Sequence, residues 1–177
     1  MTLGEGKQKV YKLLDEYGAG DSVDEDLEAK MNDFFNTAQL DVAKISKIVR
    51  TIEMEGEGRH PMPKGFLSVH RIWKEGRNVT RKCCWRGGEL VLKKGEVVEL
   101  DYFSAPETID DETGDEWEFE VREDACEAMP FYVAGMVLSA DLVQDAQIYL
   151  DLYERAKRNL SQGLPGSGQR VMNSFFG

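Results

Sequence analysis

The chain has 177 residues, of which 41% are hydrophobic and 10% aromatic, so it can bury a sizeable core and lacks the composition of a disordered protein. Its 33 acidic residues outnumber its 22 basic ones, and the net charge of −11 argues against a protein whose main task is to grip nucleic-acid phosphates. The three cysteines have no regular spacing, no signal peptide is recognisable, and no apolar run reaches the length of about 20 residues that spans a bilayer. We therefore expect folding in a reducing cytosol and no membrane partner.

Two helices are predicted at the N-terminal end, over residues 6–17 and 24–47. The second follows a capping box formed by Ser22 and Glu25. Polar residues that include Asn32, Asn36 and Gln39 lie between the apolar residues of a stripe that we expect to face the core. The stripe recurs at spacings of three and four: Leu27, Met31, Phe34, Phe35, Ala38, Val42 and Ile45.

A β insertion is predicted over residues 48–121, because short alternating segments are separated there by glycine turns. We expect a small antiparallel sheet or sandwich. The predicted strands are 48–54, 66–73, 80–85, 89–93, 97–103 and 117–121, with a loop at 55–63 and a long acidic loop at 104–114. In the last strand Trp117, Phe119 and Val121 alternate with glutamates.

A helix pair is predicted to close the chain, over residues 123–138 and 141–162. Pro130 is expected either to kink the first of these helices or to mark its true start. The glycine-rich hinge 163–168 precedes an apolar tip, which is either a disordered tail or a peptide that buries its aromatic rings in a partner. The predicted class is α+β: a bundle of two N-terminal and two C-terminal helices packed on a small antiparallel β domain. One domain is expected over 1–162, followed by an extended tail at 163–177.

The sequence shows no catalytic constellation. His60, His70 and the cysteines lack the spacing of metal ligands, and no phosphate-binding loop or nucleophile elbow is present. The clustered carboxylates have neither the glycines nor the spacing of a calcium-binding loop. We therefore predict no enzyme activity, no metal and no cofactor, and a hydrolase is only a distant alternative that needs a carboxylate cluster in an enclosed pocket.

Charge is unevenly distributed along the chain. Residues 99–127 contain thirteen acids and one base, Arg122, whereas a basic run extends from Arg77 to Arg86. The acidic block is either an ordinary solvated face or a functional surface.

The order of elements and several local motifs resemble the head–tail connector (adaptor) proteins of tailed bacteriophages, which form rings beneath the portal in the virion neck. The resemblance extends over most of residues 22–162 as pattern rather than identity. It rests on four segments: the helix "DLEAKMNDFFNTAQ" from Asp26 to Gln39, the proline-led stretch Met62–Leu67, the strand and proline loop Asp101–Pro106 followed by Asp110 and Asp111, and the closing segment Phe119–Tyr153.

The resemblance implies a structural protein that forms a dodecameric ring, joins the capsid to the tail and surrounds a DNA channel. Its partners would be the portal protein, further copies of itself and a tail or next neck-ring protein. DNA would pass through without sequence-specific binding. Made in the host cytoplasm, the protein would reside in the virion neck. The alternative is another neck, tail-completion or assembly protein that acts as a binding module without forming a ring.

Three sets of residues are candidates for these roles. The candidate portal-binding tail consists of Gln169, Arg170, Val171, Met172, Phe175 and Phe176. The candidate channel-lining acids are Asp110, Asp111, Glu112, Asp115 and Glu116. The candidate inter-subunit basic face consists of Arg77, Arg81, Lys82 and Arg86.

Overall fold

A computed structural model describes residues 1–15, 25–140 and 142–162 of the chain. It contains α-helices and two antiparallel sheets, so the predicted α+β class is confirmed. The candidate portal-binding tail, Gln169 to Phe176, lies outside the described residues.

The described residues form two compact units. The β unit is Lys47–Thr108, and the helical unit takes in the described residues up to Ser46 and those from Ile109 onward. The predicted β insertion at 48–121 therefore extends too far, because residues 109–121 group with the helices. Whether residues 1–162 act as one domain stays a prediction.

The helical unit contains five helices: α1 (Leu3–Asp15), α2 (Glu25–Ser46), α3 (Glu123–Cys126), α4 (Met129–Leu138) and α5 (Val143–Gln162). Helix α1 begins three residues earlier than predicted because Thr2 and Glu5 form a capping box. The Glu5 N–H donates to Thr2 Oγ1 (3.2 Å), and the Thr2 N–H donates to Glu5 Oε2 (2.9 Å). Pro130 lies in the first turn of α4, so of its two predicted roles the helix start is correct.

Helix α4 lies at the centre of the helical core and packs against α1, α2 and α5. Most of its residues are apolar and buried, as expected for a helix with neighbours on several sides. The predicted α2 stripe supplies the fully buried Met31, Phe35, Ala38 and Val42, while Leu27, Phe34 and Ile45 are only partly buried.

Polar residues of α2 are also buried, which the sequence analysis did not anticipate. Asn32 and Gln39 are nearly inaccessible to solvent. Asn36 clamps the backbone of Ile109: its Nδ2 donates to the Ile109 carbonyl (2.8 Å), and the Ile109 N–H donates to Asn36 Oδ1 (2.8 Å). This clamp fixes Ile109, the residue before the predicted acids at 110–116, against α2.

The β unit contains seven strands in two antiparallel sheets. They are β1 (Ile48–Glu55), β2 (Gly58–His60), β3 (Phe66–Lys74), β4 (Arg77–Asn78), β5 (Cys84–Arg86), β6 (Glu89–Leu92) and β7 (Val97–Ser104). One sheet has the order β1-β7-β3-β4 and the other β2-β6-β5. Both sheets contribute to one core cluster: Met54, Ile72, Leu90, Leu92, Val98, Leu100 and Tyr102. Of the two predicted arrangements, a sandwich therefore describes the unit better than a single sheet.

Three predicted β segments need correction. The predicted loop 55–63 contains β2, which pairs with β6. The predicted strand 80–85 divides into a 3-10 turn at Thr80–Lys82 and strand β5.

The predicted strand 117–121 is wrong, because it forms only an isolated bridge between Glu118 and Thr2. Phe119 and Val121 are nevertheless buried. The alternation of apolar residues and glutamates therefore indicates which side chains face the core, although the segment joins neither sheet.

Candidate functional site: a basic groove and an acidic loop

A tight hairpin between β3 and β4 shapes one surface of the β unit. Its two-residue loop, Glu75-Gly76, has positive φ at both positions (49° and 71°), as a type I′ turn requires. After β4 the Thr80 hydroxyl accepts a hydrogen bond from the Ile72 N–H (2.8 Å) and donates one to Asn78 Oδ1 (2.8 Å). The Val79 N–H still donates to the Ile72 carbonyl (2.8 Å), so the Thr80 side chain replaces only the return bond from the Ile72 N–H. The chain then enters the 3-10 turn Thr80–Lys82.

This turn and β3 enclose a groove of about 460 Å³, which we call the basic groove. None of the residues lining it is acidic, whereas Arg71, Arg81 and Lys82 are cationic. The lining residues are His70, Arg71, Asn78, Val79, Thr80, Arg81 and Lys82. The groove is therefore a surface of hydrogen-bond donors and positive charge, which suits an anionic partner.

The two cations of the 3-10 turn are exposed and form no ion pair with any described residue. Three other cations of the β unit are paired. Lys74 Nζ lies 2.8 Å from Glu96 Oε1, and Arg50 and Arg59 pair with Glu107 and Glu89. Arg81 and Lys82 are thus available to a partner.

The structure brings only part of the predicted basic face together. Arg81 and Lys82 line the groove, but Arg77 lies on β4 in the four-stranded sheet and Arg86 on β5 in the three-stranded one. Arg71 was not among the predicted basic residues, and His70 was considered only as a metal ligand, for which its spacing is unsuitable.

A β-bulge explains why these two residues were missed. Val69 pairs with Tyr102 and Arg71 with Asp101, so His70 is an extra residue in β3. Simple alternation along the strand therefore fails at this point. The Arg71 guanidinium then lies over the Trp73 ring (5.8 Å) and the His70 ring against Phe103 (4.8 Å).

The predicted acids at 110–116 form an exposed loop on the helical unit, which we call the acidic loop. Its first half is a compact turn. The Thr113 hydroxyl donates to Asp110 Oδ1 (2.7 Å), and the Glu112 N–H donates to the same oxygen (3.1 Å). The hydrogen bond from Thr113 is the main reason that the pKa of Asp110 is lower than usual.

The second half of the loop is tied to the N-terminus. The Gly4 N–H donates to the Asp115 carbonyl (2.9 Å), and Lys7 Nζ donates to Asp115 Oδ1 (3.1 Å). A Cβ at Gly4 would lie 2.9 Å from Asp115 Cβ, so glycine permits this approach.

The loop therefore divides the five predicted acids into two groups. Asp110 and Asp115 are engaged within the protein. Asp111, Glu112 and Glu116 are exposed and form no ion pair with any described residue.

Nothing in the described part of the chain forms a group of three or more histidine, cysteine, aspartate or glutamate residues that would suit a metal ion. All three cysteines are free thiols. Burial raises the pKa of the Cys126 thiol to about 11, which keeps it protonated at neutral pH. Among the described helices, none is both long and apolar enough to cross a membrane.

The two units differ in sign of charge. The β unit has 12 of the 22 basic residues and 9 of the 33 acidic ones, which gives it a net charge of +3. The remainder of the chain carries a net charge of −14.

No family model and no curated protein matches this chain. These surfaces and the resemblance in sequence pattern are therefore the basis for a functional proposal.

Proposed function

We propose that the protein is a structural adaptor of a bacteriophage neck, which forms a ring beneath the portal and joins the capsid to the tail. The resemblance of its sequence to connector proteins supplies the class. The observation that carries the ring is the presence on one chain of two unlike surfaces, the basic groove and the acidic loop, each with charged side chains that form no ion pair with a described residue. Rings require such heterologous contacts, in which one face of a subunit meets a different face of its neighbour.

The finer architecture belongs to the same proposal. The helices bundle and pack on the β unit, and residues 163–177 extend as a tail that docks on the portal protein. Its apolar residues, Val171, Met172, Phe175 and Phe176, suit burial in a partner's pockets. The other end of the ring meets a tail or next neck-ring protein.

The strongly acidic remainder of the chain suits a channel for DNA. A wall of negative charge repels phosphates, so DNA slides past it without sticking. The candidate residues for this wall are Asp110, Asp111, Glu112, Asp115 and Glu116, and their exposure is compatible with that role.

The decisive experiment compares the full chain with a variant that ends at Gln162, each mixed with the portal protein of the same genome. We expect the full chain to form rings on the portal, visible by electron microscopy, with a mass that gives the copy number. The truncated chain should keep its fold but not dock, because it lacks the aromatic tail.

A matched pair of variants tests the tail more finely. Phe175→Ala with Phe176→Ala should abolish docking, whereas Asn173→Ala with Ser174→Ala should not. Normal docking of the truncated chain would refute the tail assignment. A single copy bound to the portal would identify the protein as the alternative, a binding module without a ring.

A further inference from the structure

We infer that the basic groove of one copy binds the acidic loop of a second copy. Three carboxylates that pair with no described residue, Asp111, Glu112 and Glu116, would meet the cations Arg71, Arg81 and Lys82. This contact rests on the proposed function in that it names the junction between neighbouring subunits of the ring. It is nevertheless testable without a portal protein.

The chemistry of the groove selects carboxylates as the ligand. Arg71 and Arg81 have planar guanidinium groups, which bind carboxylates in bidentate geometry, and Lys82 adds a point charge. The backbone of the acidic loop is already positioned, because the Asp110–Thr113 turn and the Lys7–Asp115 pair hold both halves of the loop. Binding would therefore order the carboxylate side chains but little additional backbone.

The distribution of charge favours a second copy over nucleic acid. The whole chain has a net charge of −11, which repels DNA at long range. In contrast, the part of one copy outside its β unit has a net charge of −14 and attracts the β unit of another copy, whose net charge is +3. An interface of this kind forms faster and more tightly at low ionic strength.

A charge-swap experiment tests the contact. One variant carries Arg81→Glu with Lys82→Glu, and the other carries Asp111→Lys with Glu112→Lys. Self-association is measured by sedimentation at about 10 mM ionic strength, where charges interact over about 30 Å. We expect each variant alone to associate at least about tenfold more weakly than the unaltered chain.

Mixing the two variants is the sharpest part of the test. The inverted groove of the first matches the inverted loop of the second, and the unaltered loop and groove also match, so the mixture should regain association. Matched controls carry the same charge changes elsewhere on the β unit: Lys93→Glu with Lys94→Glu, and Glu55→Lys with Glu57→Lys. These side chains are exposed and lie outside the groove, so each control has the net charge of its variant but keeps the contact, and it should associate clearly more tightly than that variant.

Three results would overturn the inference: an unaltered chain that stays monomeric under these conditions, variants whose mixture does not recover, or controls that weaken association equally. Duplex DNA that binds the unaltered chain but not the groove variant would assign the groove to phosphates instead. The contact places Asp111, Glu112 and Glu116 at the junction between copies rather than in the channel wall. Association that is unchanged by Asp111→Lys with Glu112→Lys would leave these acids to the channel wall and overturn the inference. A chain that associates through this contact but fails to bind the portal would contradict only the proposed function.

Discussion

Asn36 holds the residue that precedes the acidic loop, Ile109, against α2. It satisfies both backbone groups of the buried Ile109 and also accepts a hydrogen bond from Gln39 Nε2 (3.0 Å). Asn36→Ala would leave the buried N–H and C=O of Ile109 without these partners. We predict a loss of about 1–3 kcal/mol in the free energy of unfolding, measured by urea denaturation.

Thr37→Ala is the matched control, because the Thr37 hydroxyl only donates to the Asp33 carbonyl one turn earlier in an exposed part of the same helix. It should change stability by no more than about 0.5 kcal/mol. Amide exchange at Ile109 should accelerate in Asn36→Ala alone. Equal effects of the two variants would show that the clamp has no special role.

A second prediction at the residue scale concerns pH. The Asp41 carboxylate accepts hydrogen bonds from Lys157 Nζ (2.6 Å) and Tyr153 OH (3.0 Å), which join α2 to α5. Burial is the largest single influence and raises the pKa of Asp41, but the hydrogen bonds from Lys157 and Tyr153 outweigh it, so the pKa lies below its usual value.

Because the folded-state pKa of Asp41 is depressed, its contribution to stability is present above the unfolded-state value of about 4 and is lost as the pH falls through the folded-state pKa. Asp41→Asn should therefore be less stable than the unaltered chain at pH 7, by at most about 1 kcal/mol because solvent screens this partly exposed pair. The difference should shrink below about pH 4. Asp33→Asn, at an exposed position of the same helix, should change stability little at either pH. A difference for Asp41→Asn that persists unchanged in acid would contradict this account.

At the scale of elements, the close contact between α4 and α5 depends on Gly135. A Cβ at this position would lie 2.9 Å from Leu150 Cδ2 and 3.2 Å from the Ala146 carbonyl oxygen. We predict that Gly135→Ala destabilises the fold by about 1–3 kcal/mol, because the helices must separate or Leu150 must leave its rotamer. In a Leu150→Ala background the same substitution should cost less, and an undiminished cost would place the strain elsewhere.

The helices were predicted most accurately from the sequence, and the errors are confined to their ends and to individual residues. The spacing of Met31, Phe35, Ala38 and Val42 identifies α2 and its buried face, because a helix repeats about every 3.6 residues. The start of α1 was missed because its capping residue, Thr2, lies before the apolar stripe begins. The burial of Asn32 and Gln39 could not be predicted, because a polar residue type favours exposure and only the residues packed around it in the fold show that it faces the core.

Segments whose structure depends on distant partners were harder to predict. Residues 117–121 alternate as a strand does, but their backbone partner is the N-terminus rather than a sheet: the Leu3 N–H donates to the Trp117 carbonyl (2.8 Å). The basic groove was only half predicted for a similar reason. Arg81 and Lys82 were recognisable as a basic run, whereas Arg71 joins them only because of the bulge at His70 and the tight hairpin that follows.

At the scale of the whole molecule, each unit has its own core and the β unit has a net charge opposite to that of the rest of the chain. The chain enters the β unit at β1 and leaves it at β7. These strands are paired neighbours, because Ile48 at the start of β1 pairs with Ser104 at the end of β7. Adjacent ends of this kind are typical of a domain inserted into another chain segment. They suggest that the interaction surface of the β unit is separable from the helical unit.

The last prediction is therefore that residues 47–108 fold when excised from the chain. A domain of about sixty residues is only marginally stable, so we expect a cooperative but low thermal transition, measured by circular dichroism. Ile72→Ala, at a fully buried position of the core cluster, should abolish that transition because it costs about 2–5 kcal/mol, nearly the whole stability of so small a core. An excised unit that melts without cooperativity while the full chain melts sharply would show that the β unit needs the helices to fold. A folded fragment would carry the basic groove alone, and should bind the full chain through the acidic loop but not bind a second fragment.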